Sequence, residues 1–314
     1  MTGIKYVMSA YGSFRRLHRF QRLYFIRYFI LLIVLAIFWN EYLSYEYSAL
    51  LWVFRLPHYD SQTVKILIVA DPQLIGYQNE GGMYPGIKRW DADRYLKKGF
   101  SRVLRVASPD VVVFLGDLFD EGTQMTDQEF EWTLERFNKI FDMPRDIQKL
   151  YVPGDNDVGG EDSPVSERLV ERFQNKFVSS FDSNVLGLDD FDFFYVNGFN
   201  EQMKKIFEGT GDLKFVLSHM PLLRAHGSLQ KLRVSLNPSL IISAHDHKAE
   251  FYQDGRSSYN FYRSSLFTYS KAIEMAISKD DPCVELQSPT CSYRMGVHET
   301  GYGNEFYMLQ LFAK

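Results

Sequence analysis

Five short apolar runs in this chain each stop on a residue able to hold a cation. They are KILIVA before Asp71, VVVFLG before Asp117, KLYVPG before Asp155, KFVLS before His219 and LIISA before His245. All are of strand length, and the first two, Lys65 apart, are apolar throughout, as in strands covered on both faces. Between those two, DADRYLKKGFSRVLRVAS places Tyr95, Phe100, Val103 and Leu104 at helical spacing. Helices are also expected over Thr126–Phe141 and Val165–Val178, a strand around Phe193–Val196, and closing strands within Phe251–Ser270. Strands alternating with helices give an α/β architecture. In such sheets, sites form beyond the carboxyl ends of the strands. A single acid after a single strand would be a helix cap. Three aspartates and two histidines delivered to one edge are not explained that way.

Taken singly the motifs are weak. DPQ (Asp71–Gln73), GDLFD (Gly116–Asp120), VPGDNDVGG (Val152–Gly160) and SHMP (Ser218–Pro221) are each compatible with turns, caps or a core histidine. AHDH is stronger, because His245 and His247 can both reach one site around a turn. In this order, after these strands, the set describes a two-metal centre. Carboxylates mixed with imidazoles suit manganese, iron or zinc rather than calcium. Two such ions, about 3.5–4 Å apart, activate water and neutralise phosphoryl oxygens.

The series DPQ, GDLFD, GDND, SHMP, AHDH resembles that of the calcineurin-like metallophosphoesterases, over about Asp71 to His247. RWDADRYL, VPGDNDVGGE and SPTCSYRMG with a later GYG are similar to the metallophosphoesterase 1 branch, which remodels glycosylphosphatidylinositol (GPI) anchors. The resemblance implies a β-sandwich flanked by helices and a manganese-dependent phosphodiesterase. It would remove ethanolamine phosphate from an anchor mannose in the early secretory pathway (ER exit sites, the ER–Golgi intermediate, Golgi), supporting export of GPI-anchored proteins. Its partners would be the anchor glycolipid or the anchored protein. The implied ligands are Asp71 and His247 for one ion and Asp155, His219 and His245 for the other, with Asp117 bridging. Gln73 and Asp155 stand where many members have His and Asn, and Ala244 replaces a glycine. Members also usually carry a second apolar span after the catalytic domain, and the residues up to Lys314 hold none.

A further departure bears on chemistry. Where the pattern has a histidine beside the metal ligand, this chain has Asn156, which donates a hydrogen bond but no proton. Asp157 is the nearest alternative acid, although the resemblance makes it an orienting residue; His226 and His298 are more distant. Losing a general acid costs about 10²–10⁴-fold. Two other readings therefore stand beside the first: a phosphomonoesterase or nucleotide phosphodiesterase, and a metal-binding but catalytically weak membrane scaffold. Arg89, Trp90, Asp91 and Arg94 follow the first strand; Asp91 reads as a helix cap, or Trp90 stacks on a sugar while Arg89 or Arg94 holds a phosphate.

The first forty residues carry six basic side chains and no acid, so the net charge of −4 leaves −10 on the remainder. So acidic a body argues against nucleic acid as a partner. The basic arm (1–22) leads into an apolar segment (23–39) interrupted only by Arg27. A crossing takes about 17–25 residues, and with no small-residue cleavage site after Trp39 the segment reads as an uncleaved membrane anchor. Basic residues stay cytoplasmic, which puts the body in the lumen. Residues 40–63 are expected to form an amphipathic stem and 64–314 the catalytic domain. Cys283 and Cys291 read as either a disulfide or two buried thiols.

Overall fold

The structure, a computed structural model, describes residues 21–55, 63–78, 84–161, 163–180, 191–197, 202–207, 213–254, 261–265, 277–297, 301 and 308–312. The chain divides into two compact units, Met1–Ser48 and Ala49–Lys314.

Helix α1 runs from Gln21 to Val53. Between Leu23 and Trp39 its large apolar side chains are exposed on every face, a surface suited to lipid and not to water. The helix continues into the segment expected to form an amphipathic stem. It passes through a π turn at Trp39–Leu43, with Asn40 Nδ2 donating to Ala36 O and Ser44 Oγ to Asn40 O. The second unit starts at Ala49, earlier than Val64, and Ala49 and Trp52 are buried in its core.

Two sheets form the body. The first has the order β11-β1-β2-β3: β1 (Thr63–Val69), β2 (Val111–Leu115) and β3 (Gln148–Val152) are parallel, and β11 (Met308–Phe312) is antiparallel to β1. In the second, β4 (Phe191–Asn197), β6 (Leu213–Ser218), β7 (Leu240–Ser243) and β10 (Val284–Gln287) form a parallel run. Antiparallel β5 (Gln202–Phe207) edges one side, and the hairpin of β8 (Glu250–Asp254) and β9 (Phe261–Ser265) the other. That hairpin supplies the closing strands expected within Phe251–Ser270; residues 255–260 and 266–270 lie outside the described set.

Strand periodicity explains the layering. Leu67, Val69, Val112 and Phe114 point to the helices α2 (Pro85–Ala107), α3 (Asp127–Ile140) and a later helix over Glu167–Lys176. Ile66, Ile68, Val113 and Leu115 point the other way and meet Phe215, Leu217 and Ile242 of the second sheet. Outside that sheet, Val216 and Ile241 pack against Leu236 of the helix Ser228–Leu236. Helix α3 begins where the sequence places it, because Thr126 and Glu129 close a reciprocal capping box. Helix α2 begins earlier than read. Pro85, pre-set for a first helical turn, starts it, so Asp91 is an interior residue and not its cap. The one-turn helix α4 (Asp155–Val158) follows β3 directly; Glu167–Lys176 and Ser228–Leu236 are then α5 and α6. Cys283 and Cys291 are not disulfide-bonded: Cys291 is buried between the first sheet and its helices, and Cys283 packs on the outer side of the second sheet.

Candidate metal centre

Backbone conformation marks the site before any side chain is considered. Among the described residues, seven that are not glycine have positive φ. Ser108 and Asn237 are the left-handed C-caps of α2 and α6, an ordinary use. The other five are Asp71 (47°), Gln73 (41°), Asp117 (50°), His245 (70°) and His247 (59°). Each costs of order 1–3 kcal/mol and persists only where surroundings enforce it. Here the enforcement is visible, since Asp71 N–H donates to Gly116 O (3.3 Å) and Gln73 N–H to Asp117 O (3.0 Å). Gly116 (φ 84°) brings the turn against His219; a Cβ there would lie 2.3 Å from Nδ1. A Cβ on Gly154 would fall 2.1 Å from Asp117 Oδ1. Gly154→Ala is therefore expected to push Asp117 out of place and weaken divalent-metal affinity about 10–100-fold, as calorimetric titration with manganese would report.

The strand ends bring the expected residues together. His219 Nδ1 lies 2.9 Å from Leu115 O; donating there leaves Nε2 as the outward nitrogen. That Nε2 is 3.1 Å from Asp155 Oδ1 and 3.4 Å from Asp117 Oδ1. His245 Nδ1 is 3.2 Å from the same Asp155 oxygen. Donor atoms of Asp155, His219 and His245 lie within 4.8 Å of one another, as do those of Asp71, Asp117 and His219. His219 thus faces both groups, where the sequence reading gave it to one. His247 Nε2 approaches Asp71 Oδ1 at 3.6 Å, and Gln73 Nε2 lies 3.1 Å from Asp117 Oδ2.

Whether these residues fit a pair of divalent cations can be tested on Asp71. Its carboxylate is fully buried, and neither oxygen has a hydrogen-bond partner among the described residues. A buried carboxylate without donors is costly unless a cation meets it. The donor set, oxygen and imidazole without thiolate, fits the same conclusion.

Electrostatics point the same way. Burial pushes Asp117 up to about 7, with His219 opposing and Asp155, Asp71 and Asp157 reinforcing. Burial also pushes Asp157 up to about 6, against amide hydrogen bonds from Gly154, Leu118 and Phe119. Asp155 goes the other way: although burial raises it, hydrogen bonds and charge from His219 and His245 hold it below the usual range. His219 is raised despite burial by Asp117, Asp155 and Asp71, and His245 chiefly by its hydrogen bond to Asp155. For the metal-free protein the signs agree. Asp117, Asp157, His219 and His245 all bind protons more tightly folded than unfolded, so stability present at acid pH is lost as pH rises through about 6 and 7. Thermal unfolding in chelator is expected at lower temperature at pH 8 than at pH 5.5, and divalent metal should restore most of the difference at pH 8.

A family model described as calcineurin-like phosphoesterase matches residues 64–249, the stretch that supplies every one of these donors. The chain belongs to the calcineurin-like phosphoesterase family. Metallophosphoesterase 1 homolog of Drosophila melanogaster is 34% identical over 101 residues, covering 32% of this chain and 26% of the fly protein. Its Caenorhabditis elegans counterpart is 32% identical over 152 residues, covering 47% of this chain and 39% of the worm protein. The chain thus matches well under half the length of these relatives. A metallophosphoesterase from Sphaerobacter thermophilus superposes with TM-score 0.33 at 14% identity, covering 72% of this chain and 77% of its own. A fit that loose leaves the α/β phosphoesterase fold to rest on the family match and the sheet topology.

Within this calcineurin-like phosphoesterase, Asn156 and Asp157 hold positions. Asn156 donates its backbone N–H to Asp117 Oδ1 (3.0 Å) and its Nδ2 to Oδ2 (2.8 Å). Asp157 is buried, its carboxylate accepting from the amides of Leu118, Phe119 and Gly154 at 2.9–3.1 Å. It ties the Asp117 turn to the Asp155 turn, in the orienting position that the resemblance implies. Trp90 is on the exposed face of α2, with the Arg94 guanidinium 5.0 Å from its ring and Arg94 paired to Asp91 at 2.6 Å. His226 is exposed, and His298 lies outside the described residues.

Sequence reasoning missed the outer bracing. Thr290 Oγ1 donates to Asp71 O (2.7 Å) and Cys291 N–H to Ala70 O (2.9 Å), clasping the first turn from the far end of the chain. Arg294 Nη1 reaches Gln73 O (3.4 Å) and Asp120 Oδ2 (3.2 Å). Arg224 pairs with Asp246, between the two histidines of AHDH. The signal available was SPTCSYRMG, whose spacing says nothing about what it touches.

Proposed function

We propose that this chain is a membrane-anchored, divalent-metal-dependent phosphodiesterase that removes ethanolamine phosphate from a mannose of GPI anchors. Manganese is its expected metal, and its expected place is the early secretory pathway with the catalytic body lumenal. The observation that carries the chemistry is the convergence of Asp71, Asp117, Asp155, His219 and His245 on two overlapping donor groups. The substrate rests on likeness to the metallophosphoesterase 1 relatives, and the anchor on the apolar helix α1.

Bound cations would supply positive charge to the phosphoryl oxygens and a water acidified for attack. This chain's residues do the rest. Asp71, Asp117, Asp155, His219, His245 and His247 would hold the ions. Leu115 O fixes the His219 tautomer through Nδ1. Asn156 orients Asp117 while its second amide hydrogen stays available to a phosphoryl oxygen. Arg94 and Trp90 are proposed to contact the glycan at the rim.

The test has two arms. Full-length protein should hydrolyse an aryl phosphodiester only with added divalent metal, manganese best. Cells lacking the protein should export GPI-anchored proteins slowly, with ethanolamine phosphate retained on the anchor mannose. Metal-loaded protein without turnover would favour the weak scaffold reading; turnover with normal export would move the substrate to another phosphoester.

A further inference from the structure

Beyond the rim contacts proposed for Trp90 and Arg94, the outer face of α2 takes no part in the metal centre. Ala92, Leu96, Phe100 and Val103 bury its inner side. On the outer side Ile87 and Trp90 follow at i and i+3, exposed by 60% and 62%, and the N-cap Tyr84 just before them is exposed by 63%. Three large apolar side chains exposed within seven residues are unusual on a surface facing only water. The same helix carries seven basic residues and two acids, in a body that is otherwise strongly acidic. Of the basic residues, Lys88, Lys97 and Arg105 are exposed. An apolar row with aromatic members beside exposed cations is the composition of a helix lying in the headgroup region of a bilayer.

We propose that the outer face of α2 docks the catalytic body onto an anionic membrane surface, with Trp90 and Ile87 entering the headgroup layer. Charge complementarity selects that occupant: exposed Lys and Arg side chains are drawn to a negatively charged headgroup surface within a Debye length. The chain also carries its own long apolar helix, α1, so a bilayer is a partner it is built to meet. Docking would serve the centre, because the face is joined to the site rim by consecutive residues. Tyr293 Oη donates to Asp91 Oδ2 (2.7 Å), and the next residue, Arg294, reaches Gln73 O. A phosphoester held at headgroup depth would then meet the site without leaving the bilayer.

The experiment uses the full chain in vesicles of acyl-brominated phosphatidylcholine, with or without phosphatidylserine, and reads quenching of tryptophan fluorescence. Trp39, Trp52 and Trp132 give a common background. Phosphatidylserine should increase quenching, and the increase should vanish in Trp90→Phe, in the Ile87→Glu/Lys97→Glu double variant and at high salt. These side chains are surface-exposed, so the fold should survive; unchanged circular dichroism would verify it. Equal quenching of wild type and Trp90→Phe in both vesicle types would overturn the proposal. So would disulfide-linked dimers through Ile87→Cys with no phosphatidylserine effect, which would make the face a contact between copies. Neither readout depends on activity, so the inference can fail while the phosphodiesterase reading stands.

Discussion

Replacing Asp117 by asparagine should lower turnover of an aryl phosphodiester by roughly 10³-fold or more, while leaving the metal-free fold intact. The loss follows from charge. Asp117 lies beside His219 Nε2 and in one donor group with Asp71, so an amide there weakens the hold on positive charge whose contribution is several kcal/mol, and each 1.36 kcal/mol is about tenfold in rate. The intact fold follows from the proton. Burial already lifts Asp117 to about 7, so without metal the site favours a neutral side chain of that shape, and asparagine is one. The partners adapt too, because Asn156 and Gln73, which present Nδ2 and Nε2 to the carboxylate, can turn their carbonyls toward an amide. Metal-free Asp117→Asn should therefore melt at or above the wild-type temperature at pH 8, where the wild type must bury a carboxylate. Loss of activity together with a collapse of metal-free stability would give Asp117 a structural role and remove the metal centre from the account.

How much of this could be read in the chain depends on the range of the interaction. Apolar runs and their terminal residues are local, and a strand that ends on Asp or His within a parallel sheet has few places to send it; Asp71, Asp117, Asp155, His219 and His245 were legible for that reason. The start of α2 was missed through a local signal outweighed by another: Asp91 reads as a cap, but Pro85 stands earlier with its φ already set. The clasp on Asp71 was not legible, because Thr290 and Arg294 act across 219 and 221 positions of sequence and on backbone carbonyls, which leave no residue-type signature. The left-handed turns at His245 and His247 were hidden in the same way. Sequence marks such turns through glycine, and here the tertiary structure imposes them on histidines. Asp157 lies between the two: the resemblance gave it an orienting place, yet the three amides that hold it could not be aimed at it from sequence.

Asn156→His carries the second large effect, and its sign depends on the leaving group. A sugar or alkyl alkoxide departs poorly without a proton, so an imidazole beside Asp117 should raise turnover of an alkyl phosphodiester by about 10²–10⁴-fold. An aryl oxide departs unaided, and the same variant should change aryl turnover little, or lower it, because the Asn156 Nδ2 contact to Asp117 Oδ2 is lost. The alkyl profile should also acquire a basic limb as the new group deprotonates, near the ordinary histidine value of about 6.5 unless neighbouring carboxylates raise it. Comparing alkyl and aryl substrates across pH separates three cases that a single assay merges. A gain confined to alkyl esters means the wild-type site lacks an acid, which fits a slow enzyme or a substrate that brings its own proton. No gain with either substrate means another group already protonates the leaving oxygen. Equal losses with both mean that what Asn156 contributes is its grip on Asp117, and that the amide is retained in order to hold the carboxylate between its neighbours.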